Sequence, residues 1–168
     1  MSSHKFNTII KGATIYNGTG KDPYRADVGI YGEKIVAIGD LNRNGANIID
    51  ARGLSLMPGI IDVHTHYDAQ ITWDPTLSPS PSMGVTTAIM GNCGFGIAPC
   101  PPEYQEIMLK NLSVVEGMNL KTLLEGTQWN FESFPDYLKY IDHQRPHANV
   151  AVLIGHSAIR TAVMGDDS

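Results

Sequence analysis

The hydrophobic pattern of the chain changes character at Pro58. Before it, short β-rich runs alternate with turn residues. FNTIIKGATIYNGTG opens with an apolar run and closes in a Gly-rich turn containing Asn-Gly. DVGIYGEKIVAIGD places two β-branched runs around Tyr31-Gly32-Glu33-Lys34, the composition of a tight hairpin. ANIIDARGLSLMPG adds one or two further strands and stops at Pro58-Gly59. No helical period of useful length occurs over residues 6–50. That stretch is therefore expected to form short antiparallel strands of a small β-sandwich, with residues 1–57 as a partial domain.

After Pro58 the apolar runs become continuous. Residues 60–63 lead to His64, residues 85–90 lead to Gly91-Asn92-Cys93-Gly94, and residues 150–154 lead to Gly155-His156. Runs without alternation are typical of parallel strands covered on both faces. Between the second and third, the pattern predicts helices over 103–115, 119–125 and 134–143, the last capped by Ser133. Strand, loop, helix and strand in succession indicate an α/β architecture over 58–168. Ser78-Pro79-Ser80-Pro81-Ser82 is too short for an interdomain linker and is expected to be a loop.

Charge narrows the function classes. Lys and Arg total 12 against 17 Asp and Glu, a net charge of -5, with a pI of about 5.6. A nucleic-acid or anionic-membrane surface needs clustered positive charge, so neither partner is expected. Apolar content of 42% with 17% charged residues is that of a folded protein. Only Cys93 and Cys100 are present, which excludes a disulfide scaffold and makes a reducing compartment the default. The start, MSSHKFNTIIKG, lacks the apolar core of a signal peptide, and no run reaches transmembrane length. A cytoplasmic enzyme or binding domain is the expected class.

The candidate chemistry lies at the strand ends. Residues i and i+2 of a strand point the same way, so His64 and His66 are expected to project into one volume, with Thr65 facing away. Two imidazoles there form half of a zinc shell. The competing reading, two surface histidines in a loop, is disfavoured by the preceding strand and the Pro58-Gly59 entry. Cys93, flanked by Gly91, Gly94 and Gly96, holds the equivalent place after the second strand. Alone it would read as a small buried hydrophobe; beside His-x-His it reads as a thiolate ligand. Asp68 suits either an acceptor that orients a ligand imidazole or a turn residue. His156 could face the same mouth and is expected to be a hydrogen-bonded or substrate-facing histidine. Cys100 receives no role. His4, His143 and His147 read as surface residues, and Trp73 and Trp129 as packing residues. Neither a phosphate-binding Gly-rich loop nor a serine nucleophile elbow occurs.

Leu56-Met57-Pro58-Gly59-Ile60-Ile61-Asp62-Val63-His64-Thr65-His66, preceded by a small β region, resembles the amidohydrolase superfamily. Gly84-Val85-Thr86-Thr87 running into Gly91-Asn92-Cys93-Gly94-Phe95-Gly96 with Ala98-Pro99 is similar to its D-aminoacylase (N-acyl-D-amino-acid deacylase) branch. The stretches 129–137 and 155–160 fit the same branch, so the resemblance spans nearly the whole chain. The cysteine motif is its most specific part, because better-known amidohydrolases bridge their metals with a carboxylated lysine.

The resemblance implies a (β/α)8 barrel with its site at the C-terminal strand ends. It assigns His64 and His66 to one metal position, and Cys93 to the tightly held zinc or to a bridge between two positions. The implied chemistry is hydrolysis of the amide of an N-acyl-D-amino acid, a small-molecule substrate, with a late-strand aspartate as general base. That aspartate and two further histidines of the family pattern have no counterpart here. A barrel needs roughly 250 residues, and only three strands can be found over 58–168. The chain is thus expected to be the N-terminal portion of a longer enzyme, with an incomplete sandwich, unable to fold stably or turn over substrate alone. Two other readings stand beside it. One is a cyclic-amide hydrolase of dihydropyrimidinase or hydantoinase type, which Cys93 disfavours. The other is a non-catalytic protein retaining the motifs.

Overall fold

The computed structural model describes residues 5–42 and 46–168. The expectation for His4 falls outside them. The chain divides into two compact units, Met1–Pro58 and Gly59–Ser168.

The first unit is a single five-stranded sheet. Its strands are β1 (Thr8–Ile15), β2 (Tyr24–Tyr31), β3 (Lys34–Gly39), β4 (Asn47–Asp50) and the two-residue β5 (Ser55–Leu56), in the order β3-β2-β1-β4, with β5 also on β1. β2 and β3 form the hairpin predicted at Tyr31–Lys34, with Tyr31 opposite Lys34 across Gly32-Glu33. Ile9, Ala13, Ile15, Val28 and Ala51 are buried. Asp27 is buried among them and is fully used. Its carboxylate accepts from the Gly12 amide (2.8 Å), the Leu41 amide (3.1 Å) and the Lys11 amine (2.9 Å). One expectation is corrected: β4 runs parallel to β1, not antiparallel, and β5 pairs with β1 in the same sense. The chain crosses over after β3 instead of turning back through a hairpin, so β4 enters alongside β1 in the same direction.

The second unit is α/β. β6 (Ile60–Thr65), β7 (Val85–Met90) and β8 (Asn149–Val152) make a parallel sheet in sequence order. Between β7 and β8 lie α1 (Gln105–Glu116), α2 (Leu120–Gly126) and α3 (Phe134–Gln144). Asn119 caps α2 by accepting the Thr122 amide, and Ser133 caps α3 by accepting the Asp136 amide, which satisfies amides that have no intrahelical partner. A fourth helix, α4 (His156–Met164), starts directly after β8 and was not anticipated. Its N-cap is Gly155, with no side-chain cap to mark it.

The core of this unit joins Met90, Ile97, Met108, Leu109, Leu112 and Tyr137, among others, with Trp73 and Trp129 packed against it. Cys100 is fully buried there. Burial, with a smaller contribution from the Glu103 charge, pushes its thiol up to about 12. It behaves as a small hydrophobe. The expectation of strands buried on both faces fails for β6, where Ile61 and Val63 are 60% and 56% exposed. β6 pairs only with β7 among the described residues, so one edge and much of both faces of a run suited to burial meet solvent. Among the described residues, no helix is long and apolar enough to cross a membrane.

Candidate metal centre

β6 delivers the two histidines. Thr65 turns inward and its hydroxyl donates to the Ile89 carbonyl at 3.0 Å, which fixes the strand end against β7. His64 and His66 lie on the other side, with ring centroids 5.2 Å apart. Their Nε2 atoms face one another at 3.3 Å. The His64 amide donates to the Asp62 carboxylate at 3.2 Å, steadying the backbone just before the pair.

β7 delivers Cys93 through a tight loop pinned on two sides. Asn92 donates its side-chain amide to the Val63 carbonyl of β6 at 2.9 Å. Ser157, in the first turn of α4, donates its amide to the Gly94 carbonyl at 2.9 Å. Gly91 adopts φ +79, and a Cβ on it would collide with the Leu153 carbonyl at the end of β8. The glycine thus permits the close approach that brings the loop back across the sheet. The Phe95 amide donates to the Cys93 sulfur at 3.4 Å.

The outcome is one cluster in which ligand atoms of His64, His66 and Cys93 all lie within 4.8 Å of one another. The donor set suits a borderline-soft cation. Atoms about 2.1 Å from a common cation stand about 3.0 Å apart at right angles and about 3.4 Å apart tetrahedrally. The imidazole pair at 3.3 Å falls inside that range. Burial holds the His66 imidazole below the ordinary histidine value, with the Glu116 charge opposing it and His64 adding to it. The neutral ring is the ligating form. Nδ1 of His66 is buried without a hydrogen-bond partner.

The other candidates stay outside the cluster. Asp68 makes no hydrogen bond to either imidazole among the described residues. It is 1% exposed, and its carbonyl accepts from the Tyr137 hydroxyl at 2.8 Å. Burial lifts its carboxyl to about 7, against the pull of its own amide and with help from the Glu116 charge. Its neighbours Tyr67 and Ala69 belong to the core of the unit. His156 is exposed as the first residue of α4. His143 and His147 are exposed.

Sequence reasoning missed Glu116, the last residue of α1, whose Oε1 stands 3.1 Å from Nε2 of His66. It also missed Asn92 as the tie between β6 and the cysteine loop. A carboxylate at a helix C-terminus, where cations are favoured, was the available signal for Glu116.

The family model described as "Amidohydrolase family" matches residues 47–168. A D-aminoacylase of Alcaligenes xylosoxydans xylosoxydans is 37% identical over 165 residues, covering 98% of this chain and 32% of the relative. A D-aminoacylase crystal structure superposes with a TM-score of 0.78 at 37% identity, covering 96% of this chain and 32% of that one. The N-acyl-D-glutamate deacylase of Bordetella bronchiseptica, solved with zinc and a phosphonate mimic of its tetrahedral intermediate, gives a TM-score of 0.74 at 36% identity, covering 97% and 32%. The chain thus spans about a third of the length of the relatives it matches.

Proposed function

The chain belongs to the amidohydrolase family, and from that premise we propose that it carries part of the metal centre of a zinc-dependent N-acyl-D-amino-acid deacylase. In this reading β6, β7 and β8 are the first three strands of a (β/α)8 barrel. The first unit is the opening part of a β-sandwich. The reading rests on the convergence of His64, His66 and Cys93 at the C-terminal ends of adjacent parallel strands. That is where barrel enzymes build their sites.

His64 and His66 hold the cation through Nε2, and Cys93 holds it as a thiolate. When bound, the zinc supplies Lewis acidity for the amide carbonyl and a water acidic near neutral pH. The chain's own work is positional. Thr65 and Asn92 lock the two strand ends together, so the imidazoles and the thiolate keep a fixed separation. Gly91 lets the cysteine loop come close to the end of β8. The substrate is a small N-acyl-D-amino acid, and neither nucleic acid nor membrane is required. Two free cysteines, one of them buried, fit a cytoplasmic setting.

The test is expression of the complete reading frame that contains this chain, with zinc counted per protomer and hydrolysis followed on paired N-acetyl-D- and N-acetyl-L-amino acids. Bound zinc and D-selective release of acetate are expected. Both should fall sharply in His64→Ala and Cys93→Ser. Zinc retained in both variants would overturn the ligand assignment, and hydrolysis of cyclic imides without deacylation would overturn the substrate class.

A further inference from the structure

Asp68 lies in the turn after β6, 1% exposed, and its Oδ2 has no hydrogen-bond partner among the described residues. The contrast is Asp27, whose carboxylate accepts from two amides and an amine. Enclosing a carboxyl group without a donor costs free energy, so Asp68 calls for something that favours a negative charge nearby. The Tyr137 hydroxyl, donating to the Asp68 carbonyl at 2.8 Å, ties the residue to α3 from behind.

What the carboxyl faces is the cysteine loop. Oδ1 stands 3.5 Å from the point where a Cβ on Gly96 would lie, and the Gly155 amide nitrogen stands 3.9 Å from the same point. Gly155 is the N-cap of α4, a helix with no side-chain cap and no acidic residue in its first turn. Its own sequence therefore leaves the positive end of its dipole without an anion. The Ser157 amide of that first turn donates to the Gly94 carbonyl at 2.9 Å. The helix end also sits tight on the loop: a Cβ on Gly155 would stand 2.9 Å from the Gly94 carbonyl oxygen and 3.0 Å from the Gly96 amide nitrogen. A buried carboxyl and a helix N-terminus thus meet at one short stretch, residues 94–96. Phe95, in the middle of it, donates its amide to the Cys93 sulfur at 3.4 Å.

We propose that Asp68 is a positioning residue for Cys93. Its carboxyl offsets the N-terminal charge of α4 beside Gly96, and the attraction holds residues 94–96 where they are. The Phe95 amide, and the thiolate that it serves, then keep their distance from the two imidazoles. The proposal rests on the metal reading above. Asp68 acts through the loop and supplies no ligand atom. It also gives Gly155 a purpose, because a side chain there would push the helix end off the loop.

The test uses the complete protein stripped of metal, with Asp68→Asn as the variant, since it keeps the shape of the side chain and removes the charge. Zn²⁺ affinity is measured by competition against a chromophoric chelator. Absorption of the Co²⁺-loaded protein is recorded beside it, because the thiolate-to-cobalt charge-transfer band reports on the bond to Cys93. Zinc binding is expected to weaken by about 10- to 100-fold, and the thiolate band, per cobalt bound, to shift or lose intensity. A role confined to packing would lower the melting temperature and leave the band as it is. An unchanged band therefore overturns the proposal whatever the melting temperature does, and so does a zinc affinity within about threefold of the parent. His64→Ala separates the two layers. If it abolishes zinc binding while Asp68→Asn matches the parent in affinity and spectrum, the Asp68 assignment falls and the metal reading survives. If neither variant affects binding, both fall. Should Asp68→Asn not fold, Asp68→Ser, which removes the charge without crowding the enclosed site, carries the same comparison.

Discussion

The cysteine loop offers a controlled test of how backbone geometry builds this site, because two of its glycines share a conformation and differ in their surroundings. Gly91 has φ +79 and Gly94 has φ +89. A Cβ on Gly94 would meet nothing within 4 Å, whereas one on Gly91 would run into the Leu153 carbonyl oxygen and reach the carbonyl carbon at 3.0 Å. Gly94→Ala therefore carries only the cost of a left-handed L-residue, about 1–2 kcal/mol. Gly91→Ala carries that and a collision with backbone, which cannot swing aside like a side chain. Restoring an ordinary contact with the carbonyl oxygen requires the loop and the end of β8 to separate by roughly 1 Å or more. Leu153 also donates its amide to the Met90 carbonyl at 2.9 Å, so the same movement strains the bond that seats β8 on β7. Overpacking of this kind adds about 1–3 kcal/mol. It displaces Cys93 by more than the roughly 0.2 Å tolerance of a metal–ligand distance. The assay is a paired melt and zinc competition on the complete protein. Gly91→Ala should melt several degrees below Gly94→Ala and bind zinc at least about tenfold more weakly, in line with losses at groups that orient ligands. Equal melting temperatures and equal zinc affinities would refute the argument, because they would show that the contact with Leu153 does not position the loop.

Three further outcomes follow from the same structure. Tyr137→Phe removes the hydroxyl that serves the buried Asp68 carbonyl and should cost about 1–3 kcal/mol in a urea unfolding series; a loss below about 0.5 kcal/mol would mean that the carbonyl finds another donor. Asp27→Asn in the first unit should destabilise by a similar amount, since one carboxylate accepts from Gly12, Leu41 and Lys11. Burial alone would raise that carboxyl, but the Lys11 amine and the two amides outweigh it and hold it below 3.8. Its contribution is therefore present above the ordinary carboxylate value and is lost as pH falls through the folded value. The gap in unfolding midpoint between parent and Asp27→Asn should narrow between pH 5 and pH 2, and a constant gap would exclude the linkage. Finally, the 168-residue chain expressed alone leaves Ile61, Val63, Leu153 and Ile154 exposed; it should bind hydrophobic dyes, associate and show no deacylation, and a monomer with a cooperative melt and D-selective turnover would contradict this.

Most of the fold was legible because its signals are local. The run at 85–90 is β7 to the residue, since a β-branched stretch bounded by Gly84 and Gly91 leaves little choice of ends. α2 and α3 begin where Asn119 and Ser133 cap them. What escaped depended on partners distant in sequence. The parallel entry of β4 beside β1 follows from a crossover, and nothing in Asn47–Asp50 encodes direction. α4 escaped because Gly155 offers no cap oxygen, although its amphipathic helix buries Ala158 and Thr161.

The candidate site divides along the same line. His64, His66 and Cys93 announce themselves, because imidazole pairs and a glycine-flanked cysteine at strand ends have a chemical reason to be there. Glu116 does not announce itself. It stands 50 positions after His66, on an element that sequence pattern presents as a packing helix with Met108, Leu109 and Leu112 inward. Only the fold reveals that this helix ends at the mouth of the sheet, and only the 3.1 Å approach to His66 turns an unfavourable helix terminus into a reasoned placement. Helix formation at that residue is served at least as well by glutamine. A glutamate kept against the dipole has its explanation in what stands opposite it, the half-buried His66 imidazole.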